Sequence, residues 1–427
     1  MAIRRILAGA CFDGETTLGR GPVLVTIDNG VIARVEAAAP RTTANISGGF
    51  LMPGFAEAHA HMFLDGALRD AGARNARLAA TPADMLATAR DNLAKCTRAG
   101  VTVVRDAGDS YGVNHALRDE LAERTDAPIA LRSPGAALKR AKRYGAFIGK
   151  DVAGAADIRS AIAELCRGSD DIKIILTGIV DFAEACVKGA PQFDVDELGL
   201  IVAEGRAHGR KTFAHCSGTA GLAVAVAAGV DSIEHGYFMT RDILAQMADK
   251  EIAWVPTFAP VHFQRTEPWH AGWGEAIVAN LSRILDDHAK HLALAHDLDV
   301  PVLAGSDAGS PGVEHGAGLV DELLHLLRAG LPMAAVLQAA TLRPRALWGM
   351  ASARIAPGHD ADLILLDASP FDDPAALRRV RFVLRGECWV AVNADERAGF
   401  ALASVPDGVA GEPDISHSPL SPSGSEQ

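Results

Sequence analysis

Eight times between about residue 50 and residue 310, the chain alternates a short β-rich apolar run with a connecting, largely helical stretch. No other feature limits its fold as much. The runs are LMPGFAEAH, VTVVRDAG, PIALRSPG, DIKIILTG, KTFAHCSG, VDSIEHG, IAWVPTF and PVLAGSDAG. Helical text between them includes residues 82–99, 155–167, 195–208, 218–228, 240–249 and 275–298. Most runs end in Gly, Asp, His or Ser, where the backbone turns into a loop. Eight such units favour an α/β fold of the closed (β/α)8, TIM-barrel type over an open doubly wound sheet. No GxGxxG follows the first run and no Walker-type loop occurs, which weakens any nucleotide-binding reading.

The flanks read differently. Residues 1–50 contain short strands and an Asn-Gly hairpin signal, and strand-like text returns after residue 350 in PGHDADLILLDAS and VRFVLRGECWVAV. The expected organisation is a small β-sandwich built from both chain ends (1–50 and 350–404) around a barrel at 51–349. Residues 405–427, rich in Pro and Ser, are expected to form a mobile tail.

A chain of 427 residues suits a barrel plus an accessory module, and a 49% hydrophobic content supplies the core. The net charge of −12 argues against nucleic acid, whose phosphates need a basic face. No run approaches a membrane span and no secretory signal is visible, so a cytoplasmic protein acting on a small molecule is expected, with a homo-oligomer as the expected assembly. The six scattered cysteines fit reduced, buried side chains.

The first run ends in Glu57-Ala58-His59-Ala60-His61. Alternate residues of a strand face the same way, so His59 and His61 project together into the barrel mouth. Chance produces such pairs often, but His215, His235 and Asp307 close the fifth, sixth and eighth runs. Those are the C-terminal strand ends where barrel active sites are built. Four imidazoles and a carboxylate converging by strand register are expected to hold divalent metal, zinc first, with cobalt or manganese as alternatives. His288, His291 and His296 fall on a helix and read as packing or solvent-facing residues.

Lys173 lies inside Ile172-Lys173-Ile174-Ile175, where an unpaired ammonium is costly. Two readings stay open: a lysine reaching water or pairing with Asp170 or Asp171, or a desolvated amine that captures carbon dioxide and bridges two metals as a carbamate. The run Lys139, Arg140, Lys142 and Arg143 is expected on a loop at the active face, where Arg140 and Arg143 would draw a substrate carboxylate; a solvated loop is the alternative. Tyr237, just after His235, is a candidate substrate contact. Trp254, Phe258, Phe263, Trp269 and Trp273 offer an aromatic pocket wall, and 260–274 a lid-length loop.

Taken with "PGFAEAHAH", "PQFDVDELGLIVAEGRAHGRKTFAHCSG", "AGVDSIEHGYF", "AGSDAG" and the closing "APGHDADLILLD", these motifs resemble the amidohydrolase superfamily, in particular its imidazolonepropionase-like and prolidase-like hydrolases. The resemblance implies a binuclear centre: His59, His61 and Asp307 on a buried metal, His215 and His235 on an outer one, and carboxylated Lys173 with a hydroxide between them. Asp307 would be the catalytic proton carrier. Two departures stand out. Glu57 replaces an aspartate common in relatives, and the Gly-Gly-His-Gly type segment of prolidase-like members is absent, with Tyr144 standing near its place as a candidate substrate contact. The expected reaction is hydrolysis of an amide-type C–N bond in a carboxylate-bearing substrate such as an N-acyl amino acid or dipeptide. A one-metal deaminase or a cyclic-amide or urea hydrolase is the alternative, and a non-catalytic binding barrel is the alternative of another class.

Overall fold

The structure is a computed structural model, and it describes residues 4–19 and 21–392. Two all-parallel sheets form the centre. Strands Phe55–Ala60, Val101–Asp106 and Ala130–Arg132 make one. The other runs Gly149–Asp151, Ala137–Lys139, Asp171–Ile175, Lys211–Cys216, Ser232–His235 and Ala253–Val255. Helices occupy the expected stretches, at Pro82–Arg98, Ala155–Leu165, Val195–Ala207, Thr219–Ala228, Arg241–Asp249 and Glu275–Asp297. Their starts follow local chemistry: Thr81 and Thr240 cap free N–H groups, and Asp194 forms a reciprocal capping box with Glu197.

The arrangement is TIM-barrel-like, but its strand pairing is interrupted at two places. The eighth run meets its neighbours through single parallel bridges, Trp254 to Val302 and Ala60 to Ala308. Backbone bonds from Leu303 to Trp254, Ala58 to Ala304 and Asp307 to His59 reinforce them. On the other side, Asp170 N donates to Ser133 O (2.8 Å) where a longer ladder was expected. Proline and glycine explain both breaks: Pro301 and Gly305 punctuate the eighth run, and Pro134-Gly135 ends the third. Further departures from expectation occur in the helices. The helical text at 318–349 divides into Ala317–Arg328, Met333–Ala339 and Leu342–Leu347, with Gly330 and Pro332 at the first break. Much of 260–274 is not loop but the helix Phe258–Thr266 and a single turn at Pro268–His270.

Both chain ends do meet, though in one sheet rather than in two facing layers. Eight strands contribute, and Ile46–Pro53 pairs in parallel with Arg5–Phe12 and antiparallel with Asp362–Leu366. Strand alternation gives this sheet two apolar faces. Phe50, Met52, Ile364 and Leu366 enter the main core, while Leu51, Leu363 and Leu365 join a separate cluster with Ile6, Val25 and Ile32. The chain passes from this sheet into the central one at Gly54, where a Cβ would fall within 2.4 Å of Asp362 Oδ1 and Thr102 Oγ1, so only glycine fits. The expected 405–427 tail and the end of the 350–404 segment lie outside the described residues. Among the described residues no helix is long and apolar enough to cross a membrane.

Candidate metal centre

The C-terminal strand ends bring the expected histidines together. The His59 and His61 rings are 5.6 Å apart between centroids, His59 and His235 5.0 Å, and His235 and His215 4.6 Å. Asp307 Oδ1 lies 3.7 Å from His59 Nε2 and 3.6 Å from His61 Nε2, and these three side chains form a group whose donor atoms suit one cation. Backbone strain marks the same place: His235, Thr257 and Asp307 hold φ of 67°, 51° and 54°, a left-handed region non-glycine residues seldom adopt.

Three of the four imidazoles are set by a partner on the far nitrogen. His59 Nδ1 is 2.6 Å from Glu234 Oε2, His61 Nδ1 is 3.3 Å from Gly108 O, and His235 Nδ1 is 2.8 Å from Thr257 Oγ1. Burial, assisted by neighbouring cationic groups, holds all four rings below the ordinary histidine range, His61 and His215 at about 3. They are therefore neutral, the form that binds metal.

Lys173 is 1% exposed and its Nζ has no hydrogen-bond partner. The two carboxylates that were candidates to pair with it are taken: Asp171 binds Arg132, and Asp170 binds Arg118 and the Ser133 N–H. Burial lowers the amine to about 8. His215 Nε2 is likewise buried without a partner. Buried polar atoms are rarely left unsatisfied in a folded chain, so two orphaned nitrogens at one point fit a site built to receive a further group.

A cavity of about 290 Å³ opens onto these residues. Tyr144 lines it, 5.3 Å from the His215 ring, as does Tyr237, whose hydroxyl donates to Thr257 O (2.9 Å). Arg140 and Arg143 do not. Arg140 is spent on Glu197 and the carbonyls of Val152 and Ala153, and Arg143 on the carbonyl of Ala190, while Lys139 lies on a strand and pairs with Asp151. The expected aromatic wall is also absent: Trp254, Phe258, Phe263, Trp269 and Trp273 sit outside the lining, and the aromatic surface comes from Phe147, Phe182 and the two tyrosines. His288 packs against Tyr237 and meets Pro256 O, a buried structural histidine. Cys216 is buried, and burial pushes its thiol up, away from a reactive thiolate.

Sequence reasoning missed four supporting residues. Glu234 also accepts from Arg105 Nη2 (3.0 Å) and Ser232 Oγ (2.6 Å), so a buried carboxylate couples His59 to a buried guanidinium. Asp106 receives the N–H groups of Met62 and Gly108 and fixes the turn behind His61. Charged residues inside the apolar runs VTVVRDAG and VDSIEHG were the available signal for these three. Arg74, which lines the cavity from the helix Ala71–Leu78, gave none. Glu57 accepts from His59 N, Ser306 N and Ser306 Oγ, tying the first run to the eighth.

Comparison with known proteins agrees with this geometry. The amidohydrolase family pattern matches residues 50–394. An uncharacterised protein of Mycobacterium tuberculosis is 29% identical over 347 residues, 79% of this chain and 85% of that protein. The ochratoxinase of Aspergillus niger is 28% identical over 228 residues, 52% of this chain and 45% of that enzyme. Its crystal structure superimposes with a TM-score of 0.76 at 21% identity, covering 92% and 97% of the two chains. A Xaa-Pro dipeptidase with methionine bound in its active site gives a TM-score of 0.77 at 23% identity, covering 91% and 100%. The two superpositions bear on the fold, while the family match spans most of the sequence and carries with it dependence on a divalent metal, for which the group of His59, His61 and Asp307 is of suitable composition and spacing. The chain belongs to the amidohydrolase family and is a hydrolase of carbon–nitrogen bonds.

Proposed function

We propose that this enzyme hydrolyses an amide-type C–N bond in a small, carboxylate-bearing substrate, and that two divalent ions, zinc in the first instance, serve the reaction. The observation that carries the reading is Lys173, a fully buried amine with no hydrogen-bond partner and only the Phe213 ring against its Nζ, placed among four neutral imidazoles and Asp307. His59, His61 and Asp307 would hold one ion, His215 and His235 the other, with Lys173 as its carbamate between them. When bound, such ions acidify water and polarise a carbonyl.

The chain's own groups do the rest. Asp307 is the proton carrier: burial pushes its carboxyl up to about 7, near the pH where taking and returning a proton costs least, while an adjacent cation acts in the opposite sense. Oδ2 accepts from Ser310 Oγ (3.1 Å), which fixes the carboxylate plane while the proton passes to the departing nitrogen. Tyr144, beside His215 in the cavity, is positioned to donate its hydroxyl to the substrate carbonyl oxygen; burial raises its pKa, so it stays protonated. Similarity to an ochratoxinase and to a Xaa-Pro dipeptidase favours an amide substrate. We also read the eight central segments as one closed barrel spanning 51–349, supported by the bonds linking the eighth run to both neighbours.

The tight group of His59, His61 and Asp307 on its own also suits a one-metal hydrolase or deaminase. Counting ions separates the two. Protein loaded with zinc, cobalt or manganese is expected to hold about two per chain, to lose one in Lys173→Ala, and to cleave members of a panel of N-acyl amino acids and dipeptides, with Asp307→Asn inactive. One ion per chain, unchanged in Lys173→Ala, would refute the binuclear reading. A metal-loaded protein inert across the panel would refute the amide reading.

A further inference from the structure

The expected carboxylate anchors, Arg140 and Arg143, are not among the residues lining the cavity, yet one guanidinium does line it. Arg74 Nη1 donates to the carbonyls of Asp65 (3.3 Å) and Leu68 (3.0 Å), and Nη2 donates to Gly309 O (2.8 Å). Those contacts engage three of its five donor hydrogens, and Nε makes no bond among the described residues. They also fix the side chain between the loop after His61 and the loop after Asp307.

What the group lacks is a carboxylate in contact with it: Asp307 and Asp65 act on its charge only from beyond ion-pair distance. Arg105 is neutralised by Glu234, Arg132 by Asp171 and Arg140 by Glu197. Arg74 forms no ion pair among the described residues. Three carbonyl dipoles hold its position without cancelling its charge. A half-buried cation of fixed geometry, with donors to spare and a catalytic carboxylate two residues from one of its tethers, is preorganised for an anion that arrives with the ligand.

We propose that Arg74 binds the substrate carboxylate and so selects acidic amides over neutral ones. The assignment rests on the amide-hydrolase reading for its choice of substrate. Apolar lining from the loops after Ala137–Lys139 and Asp171–Ile175, including Phe147, Ile148 and Phe182, then receives the other half of the molecule. The substrate class is an N-acyl amino acid with at least one bulky apolar group.

The test compares N-acetyl-L-phenylalanine with N-acetyl-L-phenylalaninamide on metal-loaded, full-length enzyme. Cleavage of the acetyl bond is followed in wild type, Arg74→Met, Arg74→Lys and Arg143→Met. Wild type is expected to favour the acid. Arg74→Met should cut that preference by about 10- to 100-fold, chiefly through KM, as expected for loss of a charged hydrogen-bonded contact. Arg74→Lys should restore part of it, and Arg143→Met should leave it unchanged. A purely structural role would lower both substrates alike and leave the ratio at its wild-type value, which would overturn the assignment. So would a ratio that follows Arg143. Calorimetric titration of both compounds separates the two readings: if neither is cleaved but the acid binds more tightly in an Arg74-dependent way, the amide reading fails and the anchor stands. No Arg74-dependent preference in either assay sinks it.

Discussion

Replacing Glu234 by Gln is expected to weaken metal binding by about 10- to 100-fold, the usual cost of losing the partner that orients a ligating histidine. The two side chains have nearly the same shape, so the effect comes from protons. A neutral His59 owns one N–H. With Glu234 Oε2 at 2.6 Å from Nδ1, that hydrogen sits on Nδ1 and the lone pair on Nε2, the nitrogen 3.7 Å from Asp307. Glu234 Oε1 meanwhile accepts from Arg105 and Ser232. A glutamine has one acceptor. If its oxygen serves Arg105 and Ser232, its NH2 faces Nδ1, the imidazole hydrogen moves to Nε2, and the metal-facing lone pair is lost. The reverse orientation sets NH2 against a guanidinium and leaves a buried donor unmade, at about 1–3 kcal/mol. Arg105 also loses its counter-charge while 1% exposed, which costs about 3–5 kcal/mol of stability. Competition against a chromophoric zinc chelator reads the first effect and urea unfolding of the metal-free protein the second. The double variant Glu234→Gln/Arg105→Met separates them, because removing the unpaired cation restores stability without restoring the tautomer. Wild-type zinc affinity in Glu234→Gln would refute the reasoning.

Two further outcomes follow from buried charges away from the centre. Arg345, 1% exposed, binds Asp362 (2.7 Å), Thr102 Oγ1 (2.8 Å) and Thr341 O (2.8 Å), joining the end-built sheet to the central strands. Arg345→Met should destabilise the fold by about 3–5 kcal/mol in denaturant unfolding, and adding Asp362→Asn should recover part of it. A change within about 0.5 kcal/mol, typical of a surface site, would argue against the coupling. Glu322 lies under the helix Phe258–Thr266, accepts from Ala259 N (3.1 Å), and is pushed by burial from 4.5 to about 8. A raised folded-state pKa gives stability that is full below about 4.5 and lost as pH rises through about 8. The stability of Glu322→Gln relative to wild type should therefore rise across that window and level off above it; a pH-independent difference would contradict the burial argument.

The helices and most strands were legible because they obey local rules. Period-2 and period-3.6 apolar patterns, the capping residues Thr81, Asp194 and Thr240, and the glycine that follows most of the central strands all point one way. Clustering of His59, His61, His215, His235 and Asp307 was legible for a related reason: strand register carries a side chain to a known end of a parallel sheet. Non-local facts were hidden. Nothing local says that the flanking strands share one ladder, since Leu51 alternates with Phe50 and Met52 in a single sheet as it would in a sandwich. Arg140 and Arg143 looked like exposed cations because sequence does not reveal that Glu197 and the Ala190 carbonyl are already waiting for them. Arg74 was invisible for the opposite reason: an arginine on a short polar helix resembles any surface residue until the Gly309 carbonyl, far along the chain, comes to meet it.

The shared sheet has a bearing on the order of folding. Ile46–Pro53 can zip onto Arg5–Phe12 as soon as both leave the ribosome, but its other edge stays bare until Asp362–Leu366 has been synthesised. Pairing of such distant segments is slow, and an open apolar edge invites association with other chains meanwhile. Nascent or prematurely terminated polypeptides lacking the last three strands of the sheet are accordingly the species on which chaperone demand should concentrate.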